Sequence, residues 1–165
     1  MEEIIVERTI KLLQEKLNRQ VVKTWAKIDD GLLNINPDHV ISTPPFEFKD
    51  KDFFRFNLEE TVANSNKRII VGCERSIADS SNRGDIANDY TLEIMFMYET
   101  NYSDIRSRIY IPLRYREAII RTIGENYREI TNHSSFISLE DLGVVESDNE
   151  GNRSIVAGVV YQVVA

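Results

Sequence analysis

Between residues 90 and 99 the chain alternates without a break, with Tyr90, Leu92, Ile94, Phe96 and Tyr98 on one side and Thr91, Glu93, Met95, Met97 and Glu99 on the other. Successive side chains of a strand point to opposite faces, so this period of two predicts a β-strand with one wholly apolar face. Such a strand needs neighbours to pair with and a layer to cover it. Its second face is only partly polar, and Met95 and Met97 are predicted to be covered by an N-terminal helix or by another subunit.

The covering layer is legible upstream. Val6, Ile10, Leu13 and Leu17 recur at helical spacing, predicting a helix over residues 2–19, about 27 Å long. Ile4, Ile5 and Leu12 widen its apolar side enough for two neighbours. Beyond it the signals are mixed: Val22, Trp25 and Ile28 fit a helix or a strand, and Asp30-Gly31 reads as a turn. Pro44-Pro45 excludes a helix at that point. Phe46, Phe48, Phe53, Phe54 and Phe56 follow, expected as an extended segment or strand pair feeding the core. The alternative is an exposed loop whose aromatics anchor a partner, which makes these five, with Met95 and Met97, the candidate interface residues.

Ile and Val dominate residues 69–71 and predict a strand over residues 67–77, followed by a polar surface loop at residues 78–88. After the alternating strand come a turn at residues 101–104 and Pro112, marking the approach to a helix carried by Ile119 or Ile120, Ile123, Tyr127 and Ile130, with Gly124 interrupting it. Apolar segments at residues 142–146 and 154–164 flank a polar stretch and predict a hairpin. Its last strand is apolar on both sides, as in strands buried on both faces; at an edge it would need another chain. The expected fold is a single α+β domain spanning residues 1–165. A mixed, mainly antiparallel sheet packs against the N-terminal helix and a second helix, and a C-terminal β-hairpin closes it.

The chemistry-bearing residues are sparse. Cys73 is the only cysteine, so no disulfide forms within the chain, and neighbouring Glu74 is expected to raise its thiol pKa. With only His39 and His133 beside it, no zinc spacing or activated nucleophile is assigned. The seven glycines are scattered and form no phosphate loop. No catalytic, cofactor or metal residue is therefore expected, and no enzymatic activity. The start of the chain is acidic and no apolar run approaches the roughly 20 residues of a membrane span, so synthesis in the cytoplasm without membrane contact is expected. Twenty-seven acidic against 20 basic residues, a net charge of -7, disfavour a surface that grips phosphates. That balance suits a passage through which DNA slides without sticking.

The N-terminal amphipathic helix, the strand with Tyr90-Thr91-Leu92-Glu93-Ile94, the helix with Ala118-Ile119-Ile120 and the closing Tyr161-Gln162-Val163-Val164 together resemble tail terminator and related head-to-tail connector (neck) proteins of long-tailed bacteriophages. The resemblance spans nearly the whole chain and lies in the order of elements. It implies a structural virion protein, made in the host cytoplasm, that forms a homo-oligomeric ring, commonly a hexamer. The ring would cap the tail tube and meet neck or connector proteins, and DNA would pass through it without sequence-specific binding. A non-catalytic binding or regulatory domain of the cytoplasm is the alternative, and an enzyme built on spatially paired carboxylates the third reading.

Overall fold

The alternating stretch lies at the centre of a sheet. The computed structural model describes residues 2–55, 67–77, 88–100, 105–131, 137–149 and 152–164. A long helix α1 (Glu2–Ile35) is followed by a 3-10 turn (Asp50–Asp52) and the strands β1 (Phe53–Arg55), β2 (Lys67–Ile77) and β3 (Asn88–Thr100). Helix α2 (Ile105–Ile130) and strands β4 (Ile137–Asn149) and β5 (Asn152–Val164) complete the order. The sheet runs β1-β2-β3-β5-β4, with β1 parallel to β2 and every other pair antiparallel. The α+β class with a mixed sheet is thus the observed one. β5 lies between β3 and β4, with Tyr98 opposite Ile155 and Ile137 opposite Val163, so the doubly apolar last strand is not at an edge. Phe56, residues 78–87 of the expected polar loop, the turn at residues 101–104 and the expected hairpin tip at residues 150–151 lie outside the described residues.

Helix α1 runs 34 residues, about 51 Å, well past the expected end at residue 19. The reason is that the apolar stripe continues: Leu17, Val21, Thr24 and Trp25 are all buried, at the same spacing as Ile10 and Leu13 before them. The turn expected at Asp30-Gly31 does not form. One glycine costs a helix only about 1 kcal/mol, which the packing of the preceding turns outweighs. Nothing lies within 4 Å of a β-carbon built on Gly31. Gly31→Ala is therefore expected to stabilise the chain by about 0.5–1 kcal/mol, read as a higher urea midpoint at unchanged slope.

Helix α2 starts at Ile105, before Pro112 rather than after it. A proline inside a helix forfeits one backbone bond; here the loss falls near the start, and the face of Tyr115, Ala118, Ile119 and Ile123 packs regardless. Near its other end Asn126 leaves helical geometry (φ -129, ψ 17) and kinks the helix. Its side-chain amide donates to the Thr122 carbonyl at 2.7 Å, and its Oδ1 accepts from Lys16 at 2.9 Å. Arg8 reaches the Ile130 carbonyl, Lys16 reaches Glu129, and Asp29 meets Arg114, so α1 and α2 run antiparallel.

Both helices cover one face of the sheet. Ile69 and Val71 of β2 and Leu92, Ile94, Phe96 and Tyr98 of β3 share that face by register and are buried with Ile5, Leu13, Leu17 and Trp25 of α1 and Tyr115, Ile119 and Ile123 of α2. Glu7 of α1 pairs with Arg55 at the end of β1.

Candidate functional site

One end of the helix pair is strapped. After α1 the chain turns at Asn36, whose N–H donates to Leu32 O and whose carbonyl accepts from His39 N–H. It then runs back along the helices without regular secondary structure, through Pro44-Pro45, to the 3-10 turn. Three side chains fasten this strap to the helices. The first is Asp29, on the buried side of α1, whose Oδ1 accepts from His39 Nε2 at 2.8 Å and from Arg114 Nη2 at 2.8 Å. Its Oδ2 accepts from the Ser42 N–H at 3.1 Å, and Arg114 Nη1 donates to Ser42 Oγ at 3.2 Å. A carboxylate only accepts, so the His39 proton facing it sits on Nε2. The Arg114 guanidinium also lies 5.4 Å from the Trp25 ring centroid, on α1 one turn before Asp29.

Burial alone would raise the pKa of Asp29, but the hydrogen bonds from Arg114, His39 and the Ser42 N–H, with the Arg114 charge, outweigh it and hold the carboxyl at about 2. The group stays ionised at every ordinary pH. A carboxylate on an imidazole is half of a catalytic dyad, yet here the side chains are 3% and 6% exposed and the adjacent hydroxyl, Ser42 Oγ, accepts from Arg114. The arrangement is a fastening.

The second fastening is Tyr115 of α2, whose hydroxyl donates to Phe46 O at 2.9 Å and accepts from Phe46 N–H at 3.3 Å. Burial pushes its pKa up, which keeps the hydroxyl protonated. The third is Asn18 of α1, whose amide pairs with both backbone groups of Phe48, at 2.7 and 2.8 Å. Between them the rings of Phe46 and Tyr115 stack, centroids 4.6 Å apart, and Phe48 and Phe96 close on Tyr115 at 5.5 and 5.1 Å.

These contacts decide most of the Phe-rich segment. Phe48 is buried in the core, Phe46 and Phe53 pack against it, and Phe54 is half-buried on the opposite face of the sheet, in register with Ile70. Phe46 and Phe48 turn inward because their backbone is bonded to Tyr115 and Asn18, and Phe53 of β1 does so by its register with Ile69. Met95 and Met97 are half-buried on the sheet face away from Phe96. The helices lie on the Phe96 side, so α1 does not cover these methionines. Cys73 is half-buried against the core; burial first, then Glu2 and Glu74, raises its thiol to about 11, the direction expected.

The strap also exposes apolar side chains. Val40 and Ile41 on it, Leu32 and Ile35 at the end of α1, and Ile109 and Tyr110 on α2 are six of the eight large hydrophobic side chains exposed among the described residues. Trp25, Val40, Ser42, Thr43, Pro45, Tyr110, Ile111 and Arg114 line a shallow recess of about 230 Å³ in their midst. Sequence reasoning passed over this surface because the apolar residues of residues 32–41 show neither period and the histidine and carboxylate that fold the strap back are ten positions apart. Among the described residues no group of three or more His, Cys, Asp or Glu is placed to hold a metal ion, and no helix is long and apolar enough to cross a membrane. The chain matches no protein-family model and no curated protein.

Proposed function

We propose that the chain is a structural subunit of a bacteriophage tail, a tail terminator that assembles as a ring on the end of the tail tube and joins it to the neck or head. The observation that carries this reading is the apolar surface at the strapped end of the helix pair, where exposed aliphatic side chains accompany a recess lined largely by Trp25, Val40, Pro45, Tyr110 and Ile111. Exposed apolar surface of this kind suits protein contact. The element order agrees with the resemblance, and the net charge of -7 suits a subunit bordering a passage for DNA. Met95 and Met97, away from the helices, are a second surface for a neighbour or for tail tube protein.

Mass photometry and negative-stain imaging of the purified chain, alone and mixed with tail tube protein, test this reading. Rings, alone or seated on tube ends, are the expected result. A chain that stays monomeric and also fails to bind the tube overturns it.

A further inference from the structure

We infer that the strapped end of the helix pair is the contact between copies of this chain, a step that rests on the ring reading and assigns it a surface. Ile35, Val40, Ile41 and Tyr110 are 83%, 70%, 65% and 58% exposed. With Leu32 and Ile109 they present on the order of 600 Å² of largely apolar surface, counting about 150–200 Å² for a fully exposed large side chain. That equals the largest patch ordinary monomers tolerate, and it supplies most of the roughly 800 Å² per partner that a stable interface buries.

The occupant follows from shape and charge. Ile35 and Ile41 are largely exposed, while the recess between Trp25, Val40, Pro45, Tyr110 and Ile111 is concave and, at about 230 Å³, below the roughly 300 Å³ at which small-molecule sites begin. It is the size for an aliphatic side chain. The guanidinium at its wall is already neutralised by Asp29, so an entering apolar group strands no bare charge there. Knob and hole belong to different residues, so each copy can give one and receive one. The net charge of -7 makes copies repel in general. Among the described residues at this end, however, exposed Lys23 and Lys27 balance exposed Asp30 and Asp38.

Sedimentation velocity of the full chain from low micromolar to several hundred micromolar tests the assignment. The expected result is concentration-dependent association of the wild-type chain that Ile35→Asp combined with Ile41→Asp weakens by roughly a hundredfold or more. Tyr110→Ser, on the hole side, should give a loss by an independent route. Ile4→Asp, exposed at the other end of α1, should leave association unchanged, and far-UV circular dichroism should be the same for all four chains. A double variant that assembles like the wild type overturns the assignment and leaves the ring reading to other surfaces. Equal weakening by Ile4→Asp overturns it as well. A wild-type chain monomeric throughout also overturns it, and the ring reading then stands or falls on tube binding.

Discussion

Tyr115→Ala is expected to destabilise the chain by about 4 kcal/mol, the range for deleting a fully buried aromatic ring from a core that cannot collapse around the gap. The gap would open where α2, the strap and the sheet meet. Trp25, Phe46, Phe48 and Phe96 all close on the ring, with centroids between 4.6 and 5.5 Å away. Truncation also strands the Phe46 N–H and C=O, both bonded to the hydroxyl. Tyr115→Phe separates the two losses: it keeps the ring and should cost about 1–2 kcal/mol, the price of one hydroxyl's hydrogen bonds. Urea unfolding followed by Trp25 fluorescence measures both, because Trp25 is the only tryptophan and packs edge-on to this ring at 4.8 Å. Near-equal losses for the two variants would place the stabilisation in the hydroxyl and not in the ring stack.

The contrast between what was legible in sequence and what was not follows from how far each determinant reaches. Residues 67–77 and 90–99 were readable because strand alternation and β-branched content are local; β2 has those bounds, and β3 extends the second stretch at both ends, to Asn88–Thr100. The first half of α1 was readable for the same reason. Its second half was not: Asp30-Gly31 carries turn chemistry, and only the packing of Val21, Trp25 and Asp29 against α2 and the strap shows that helix wins. Pro112 misplaced the start of α2 because a proline's local cost is visible in sequence while the burial of Tyr115 and Ile119 that offsets it is not. The strapped end was the least legible. Asp29 lies 10 positions from His39 and 85 from Arg114, so nothing in a window of ordinary length links them. A carboxylate on the inner side of a helix, in line with Val21 and Trp25, was the one available signal.

Its removal should be the other large effect. Asp29→Ala leaves the Arg114 guanidinium, 11% exposed, without its anionic partner and frees the Ser42 N–H and the His39 ring from theirs; losing one member of a buried ion pair costs about 3–5 kcal/mol. Asp29→Asn keeps the shape and isolates the charge. The pKa of the carboxyl falls from 3.8 in the unfolded chain to about 2 in the folded one, so the folded state binds its proton less readily. Stability from this group is therefore fully present above about pH 5, declines as the pH falls through about 4, and is gone below about 2, an amount of about 2 kcal/mol. Urea midpoints at pH 7, 4 and 3 should show the wild-type advantage over Asp29→Asn narrowing steadily with acid, and a gap unchanged at pH 3 would deny the ionised carboxylate its role. Amide exchange locates the effect, because His39 and Ser42 hang on the same carboxylate as Arg114. In Asp29→Asn the protection of residues 36–45 should fall before that of β2 and β3, since the strap depends on this charge and the centre of the sheet does not. Acid would thereby loosen the apolar end of the molecule, with Val40 and Ile41 on it, while the sheet stays folded.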